Sequence, residues 1–215
     1  MLVTAAFVPA APVLVPRVAG GAAAELDEVR TACLAAISTT LAALPERVLV
    51  LASGPGRRWP AQRPSFSRLG LDDGPADDRP VALQVGRWLL EEAGWAGPVE
   101  DWTVDGSSTP DLGSAAVAVL VAGDGTARRA PSAPGYFDPV AEAYDEAVAE
   151  ALAAVDTATL LSLDPADDRR LLVQGRAAWQ AAARAVDAEP GDWSGALLWS
   201  GAPLGVGYFV ATWRR

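Results

Sequence analysis

Eight consecutive residues, Ala115-Ala116-Val117-Ala118-Val119-Leu120-Val121-Ala122, carry no polar side chain. A strand that is apolar on both sides must be covered on both faces, which is the situation of a central strand in a largely parallel sheet. Leu2 to Val8 and Arg47-Val48-Leu49-Val50-Leu51-Ala52 are short apolar runs of the same kind, and both read as buried strands. Between them, Ala, Leu and Ile recur at helical spacing over about 22–43, after Gly20-Gly21 and before Pro45. A strand, a crossover helix and a second strand make a right-handed parallel unit the simplest topology.

The rest of the chain continues the alternation. A helix is expected over about 80–93, with Val81, Val85, Trp88 and Leu89 on its apolar face, then a short strand at 99–104. Helices are expected over about 138–155 and 166–186, the first opening with Asp138-Pro139, a capping residue followed by proline in the first turn. The period then changes: Trp193 to Trp199 and Val206 to Trp213 read as two strands joined near Gly201-Ala202-Pro203. With 215 residues and no repeat or linker, the expectation is one α/β domain. It has a mostly parallel or mixed central sheet flanked by helices, with a C-terminal antiparallel hairpin.

Composition removes whole classes of function. Seventeen Arg and Lys against 27 Asp and Glu leave a net charge of −10, which opposes phosphate backbones and anionic lipid; no nucleic-acid or membrane partner is expected. A single cysteine, Cys33, excludes an intrachain disulfide and reads as part of a buried helical stripe. The chain contains no histidine, so Ser-His-Asp, Cys-His and imidazole-ligated iron sites cannot be built from it alone. A carboxylate-only cation site, or a site completed by another chain, stays open. No Lys or Arg precedes Arg17, and Pro9, Pro12 and Pro16 interrupt the apolar start, so the opening lacks the pattern of a secretory signal and a cytoplasmic location is expected.

Candidate site residues lie mainly where strands end. Ser53-Gly54-Pro55-Gly56 directly follows the second strand, at the place where open parallel sheets form binding crevices. It opens a long irregular stretch, 53–79, which is either functional or a surface excursion. Gly123-Asp124-Gly125-Thr126 follows the central strand; Asp124 would orient a ligand or water there, or simply make an Asp-Gly turn. Neither segment matches a phosphate loop or a dinucleotide fingerprint. Arg57-Arg58-Trp59 and Arg63 would hold an anion or a ring, or face solvent. Arg128-Arg129 would do the same, or pair with neighbouring carboxylates.

The acidic pairs Asp72-Asp73 and Asp77-Asp78 lack calcium-loop spacing, and no metal ligand is assigned. Asp164, Asp167 and Asp168 fit the start of a helix. Tyr136 and Tyr208 would line an apolar pocket or pack in the core. The eight tryptophans suit an aromatic groove or a subunit interface alike. The ligand-binding candidates are therefore Ser53, Arg58, Asp124, Arg128, Tyr136 and Tyr208.

Several stretches together resemble the class III extradiol ring-cleavage dioxygenase family, in particular a small actinobacterial branch. They are Val8-Pro9-Ala10-Ala11-Pro12-Val13-Leu14-Val15-Pro16, Gly86-Arg87-Trp88-Leu89-Leu90, Ala133-Pro134-Gly135-Tyr136-Phe137-Asp138-Pro139 preceded by Gly123-Asp124-Gly125, and Gly205-Val206-Gly207-Tyr208-Phe209-Val210. The resemblance implies a ring-opening fold whose enzymes hold non-haem Fe(II) with two histidines and a carboxylate, a further histidine assisting proton transfer. The family's first ligand sits in a segment like Cys-Pro-His-Pro-Pro, whose histidine falls on Ala10, and its second is expected around Ser53-Gly54. The iron site is thus lost and no cofactor is expected.

The expected function is that of a catalytically degenerate dioxygenase-like protein that binds a small aromatic or polar metabolite or serves as a structural subunit, as a homo-oligomer and most simply a dimer. The alternatives are a histidine-free enzyme using Asp124 or another carboxylate, with or without Mg²⁺, and a subunit whose site a partner chain completes.

Overall fold

A computed structural model describes residues 1–107 and 109–215. Seven strands form one sheet: β1 (Leu2–Val8), β2 (Arg47–Ser53), β3 (Arg57–Trp59), β4 (Val99–Val104), β5 (Val117–Ala122), β6 (Ser194–Gly201) and β7 (Tyr208–Arg214). Their spatial order is β3-β4-β2-β5-β1-β7-β6. The four central strands are parallel, while β3 at one edge and the β6–β7 hairpin at the other run antiparallel to their neighbours. The chain is thus a single α/β domain with a mixed sheet, flanking helices and a C-terminal hairpin.

β5 is buried at every position, and its alternation serves two layers. Val117, Val119 and Val121 join one core, and Ala118, Leu120 and Ala122 join the other. On the second of these faces lie α1 (Pro16–Ala19), α2 (Asp27–Leu41) and α3 (Val81–Glu92), with Cys33 fully buried on α2. On the first lie α4 (Ala141–Ala154), α5 (Thr157–Ser162), α6 (Pro165–Leu171) and α7 (Arg176–Asp187). Two tryptophans anchor this layer. Trp213 meets Phe7 edge to face at 4.5 Å and donates from Nε1 to the Leu152 carbonyl at 2.7 Å, and Trp179 meets Phe209 at 5.8 Å.

The parallel unit expected from β1, α2 and β2 forms with one strand inserted: β5 lies between β1 and β2 and pairs with both. The most apolar strand takes the most covered position, a choice made by burial on both faces rather than by chain order. The helix expected over 166–186 is broken into α6 and α7. Leu172 takes a left-handed conformation at φ 57°, and the Asp124 carbonyl accepts the N–H groups of Gln174 and Gly175 at 3.1 and 2.8 Å. Gly123 permits this, since a Cβ there would lie 2.5 Å from the Gly175 Cα.

The irregular stretch after β2 is held by a buried charge network. The Arg79 guanidinium donates to Asp77 from Nε at 3.0 and 3.1 Å and from Nη2 at 2.6 Å, and its Nη1 donates to Asp101 on β4. Gln62 donates to Asp77 at 2.7 Å and Gln84 on α3 donates to the Arg79 carbonyl at 2.7 Å. Asp73 accepts from Phe66 N–H and Ser65 Oγ, and Asp78 pairs with Arg68 at the surface. Asp73, Asp77 and Asp78 are therefore taken up by protein donors. Among the described residues no helix is long and apolar enough to cross a membrane.

Candidate functional site

Inserting β5 between β1 and β2 makes the connections leave the sheet in opposite directions, and such a switch point opens a crevice at the carboxyl ends of the strands. A cavity of about 800 Å³ lies there. Each central strand of this trio delivers residues to it: Ala10 and Ala11 after β1, Ser53 and Gly54 after β2, and Asp124 after β5. The break between α6 and α7 adds Val173 and Gln174, and the start of β7 adds Tyr208. The remaining wall is mainly apolar, including Val13, Val81, Pro134, Leu204 and Val206, and among the described residues no arginine lines it.

Asp124 is 8% exposed. Its Oδ1 accepts the Ala10 N–H at 2.7 Å. Burial pushes its pKa up to about 7, and the N–H groups of Ala10 and Ala11 only partly oppose that rise. In a chain without histidine, this carboxyl takes over titration in the neutral range. Tyr208 is 2% exposed, and its phenol is held above its ordinary value by burial and then by the nearby Asp124 carboxylate. Among the described residues no hydrogen bond joins these two side chains, and none satisfies the Tyr208 hydroxyl.

A second buried carboxylate sets the backbone of this floor. Asp145 on α4 accepts Thr126 N–H and Oγ1 at 2.9 Å each and Arg129 Nη1 at 3.1 Å. Burial nevertheless holds its pKa above the ordinary range. Gly125 N–H donates to the Gly207 carbonyl and Gly207 N–H to the Thr126 carbonyl, at 2.7 and 2.8 Å. This two-way bridge joins the end of β5 to the start of β7 and brings Asp124 and Tyr208 to one cavity. A Cβ at Gly207 would sit 2.2 Å from Asp145 Oδ2. Gly207→Ala is therefore expected to cost about 2 kcal/mol, in the range of overpacked cores. Urea unfolding at constant slope checks this, and a loss near zero would show that the bridge is slack.

Of the six sequence-read candidates, Ser53, Asp124 and Tyr208 line the cavity, and Arg58, Arg128 and Tyr136 do not. Ser53 Oγ is already engaged, accepting the Ala178 N–H at the start of α7 at 3.2 Å. Arg58 continues into the edge strand β3 and pairs with Glu100 at 3.3 Å, while its neighbour Arg57 stacks on Trp59 at 4.1 Å. The Arg128 carbonyl accepts Asp138 N–H, and its side chain lies beside Gly135. Tyr136 is 75% exposed at φ 59°. Arg129 follows the carboxylate-pairing alternative, to Asp145 and Glu142.

Asp168 had a simpler expected role at a helix start, and it does lie in the first turn of α6, which Asp164 caps through the Ala166 N–H. It also lines the cavity and pairs with Arg176 at 2.7 Å. Val173 and Gln174 have no signal in the sequence beyond the glycine that follows them.

The donor set does not fit a two-histidine iron centre. At the two positions where the resemblance places ligands, the chain offers the methyl group of Ala10 and a serine hydroxyl bonded to α7. Asp124 and Asp168 are hard oxygen donors, not the imidazoles of such a site. Among the described residues no three His, Cys, Asp or Glu side chains converge to hold a metal ion. No protein-family model matches the chain, and a search of curated proteins finds no match.

Proposed function

We propose that this is a cytoplasmic small-molecule-binding protein resembling class III extradiol dioxygenases, without their iron chemistry, and that its ligand is a compact, largely apolar or aromatic metabolite with a polar head. One observation carries this reading. Two buried polar side chains, Asp124 and Tyr208, reach the floor of one cavity without bonding each other. A buried hydroxyl left without a partner is costly, and a ligand oxygen seated between phenol and carboxyl satisfies both. The apolar wall supplies the burial area that small-molecule sites use for affinity.

The test is ligand-observed NMR with a set of neutral aromatic alcohols, phenols and ketones. Binding by members of the set is expected, abolished in Ala10→Trp, which fills the cavity, and unchanged in Arg58→Ala, which lies outside it. Circular dichroism confirms that both variants fold. Binding that survives Ala10→Trp, or no binding at all, overturns the proposal.

A second reading has its own support. The neutral-range pKa of Asp124 suits a histidine-free acid–base enzyme, since a proton-transfer group works best when poised near the working pH.

A further inference from the structure

We infer that Asp124 and Tyr208 act together as a proton-transfer pair on a neutral ketone, Asp124 moving the proton of the carbon beside the carbonyl and Tyr208 holding the carbonyl oxygen. The inference rests on the cavity being a ligand site. The two groups face one cavity without a hydrogen bond between them, which is the spacing that a bound C–C=O unit needs: an acceptor over the C–H and a donor on the oxygen. Both lie at the dry floor, where an oriented hydroxyl stabilises developing oxyanion charge more strongly than water does.

The chemistry is narrowed by what the chain lacks. It has neither histidine nor lysine, so the carbonyl is not consumed through an imine formed with a lysine. Cys33 is sealed in the α2 layer with its thiol pushed up by burial, and the Ser53 hydroxyl is tied to α7. With no arginine on the wall among the described residues, a ketone carrying a carboxylate or phosphate has no counter-charge, and a neutral one is favoured.

The step balances without a co-reactant. Ionised Asp124 takes the α-proton. The C–H electron pair becomes the C=C bond of the enolate, and the carbonyl π pair moves to the oxygen, which accepts the Tyr208 O–H hydrogen bond. Return of the proton from Asp124 to the same carbon restores the ketone. In a β,γ-unsaturated ketone, return to the far carbon of the double bond shifts it into conjugation. Nothing is oxidised or reduced.

The base must be ionised, so the rate is expected to rise with pH through about 7. The groups surrounding Asp124 in this respect are the Tyr208 phenol, the Cys33 thiol and, elsewhere on the cavity wall, Asp168, which is paired with Arg176. The first two are held well above their ordinary values by burial, and Asp168 is raised by burial against the pull of Arg176.

Cyclohexanone, acetophenone and 2-tetralone serve as probes. Loss of their α-proton signals in D₂O is followed by NMR, beside ligand-observed binding on the same samples. For a ketone that binds, exchange faster than in buffer is expected. Asp124→Asn, which keeps an acceptor for the Ala10 N–H, should lower it about a hundredfold or more. Tyr208→Phe should lower it about a hundredfold, with both variants checked for folding and binding. Bound ketones that exchange only at the buffer rate overturn the proton-transfer pair and leave the binding site standing. Ketones that fail to bind where aromatic alcohols do overturn the ketone assignment alone. If neither class binds, both readings fall.

Discussion

Arg79→Met is expected to lower stability by about 3–5 kcal/mol at neutral pH, because it strands two buried carboxylates at once. Asp77 and Asp101 are both almost wholly buried, and the Arg79 guanidinium lies between them. Arg87 does not replace it: its Nε stands 3.9 Å from Asp101 Oδ1, and both atoms lack hydrogen-bond partners. Burial is the largest influence on Asp77 and pushes its pKa up, yet the Arg79 and Gln62 bonds together hold it below the ordinary value. That contribution is present above the unfolded pKa and is lost as pH falls through the folded one. The cost of Arg79→Met should therefore shrink as pH drops toward about 4, where the stranded carboxyls protonate. Urea unfolding of both proteins at neutral and acidic pH measures it. The triple variant with Asp77→Asn and Asp101→Asn should recover part of the loss at neutral pH. A loss below about 1 kcal/mol, typical of exposed pairs, would mean that water reaches the network.

Asp124→Asn is expected to make the protein more stable than the wild type near pH 8 and to lose that advantage near pH 5. The Asp124 pKa is raised by burial from the ordinary aspartate value to about 7. A raised folded pKa means that the folded chain holds the extra proton between about 4 and 7. The associated stability is complete below the unfolded pKa and is lost as pH rises through the folded one. At about 1.4 kcal/mol per pH unit, the interval corresponds to about 4 kcal/mol, an upper value for the difference between wild type and variant. Asp77, Asp138 and Asp156 have lowered pKa values and add a trend of the opposite sign in both proteins. The quantity to follow is therefore the wild-type minus variant difference across the pH range. A variant that is less stable at every pH would place an ionised, fully hydrogen-bonded carboxylate at this position, and the acid–base role would fall with it.

The sheet was legible wherever side chains alone decide burial. The apolar run of β5 fixed its two-faced covering, β4 was read over the residues it occupies, and the change of period after Trp193 gave the hairpin. Strand order was not legible, because β5 reaches its place between β1 and β2 through pairings distant in sequence. The break at Leu172 was hidden for a related reason. Its cause is contact with Gly123 and the Asp124 carbonyl, while the surrounding Leu-, Ala- and Arg-rich sequence favours helix throughout.

In the site, Ser53, Asp124 and Tyr208 were readable because each sits at the end of a strand on the crevice side. Arg58 was misread because three further residues pair with β4 and carry its guanidinium to Glu100. Arg128 and Tyr136 belong to a loop that closes on itself through Gly135 N–H to the Ala127 carbonyl and Asp138 N–H to the Arg128 carbonyl. Local bonds of that kind leave no trace in residue type.

The two borders of the sheet are unlike. β3 is three residues long and presents two exposed arginines, whereas β6 runs for eight residues, Ser194 to Gly201, with neither a charge nor a proline. Among the described residues no strand pairs with the outer side of β6. Short, charged borders discourage the addition of a strand, and long uncharged ones invite it. A sheet with one receptive border accepts one partner. Two copies joined β6 to β6 about a two-fold axis would consume both receptive borders, so association by this route stops at a pair and does not grow into a fibre.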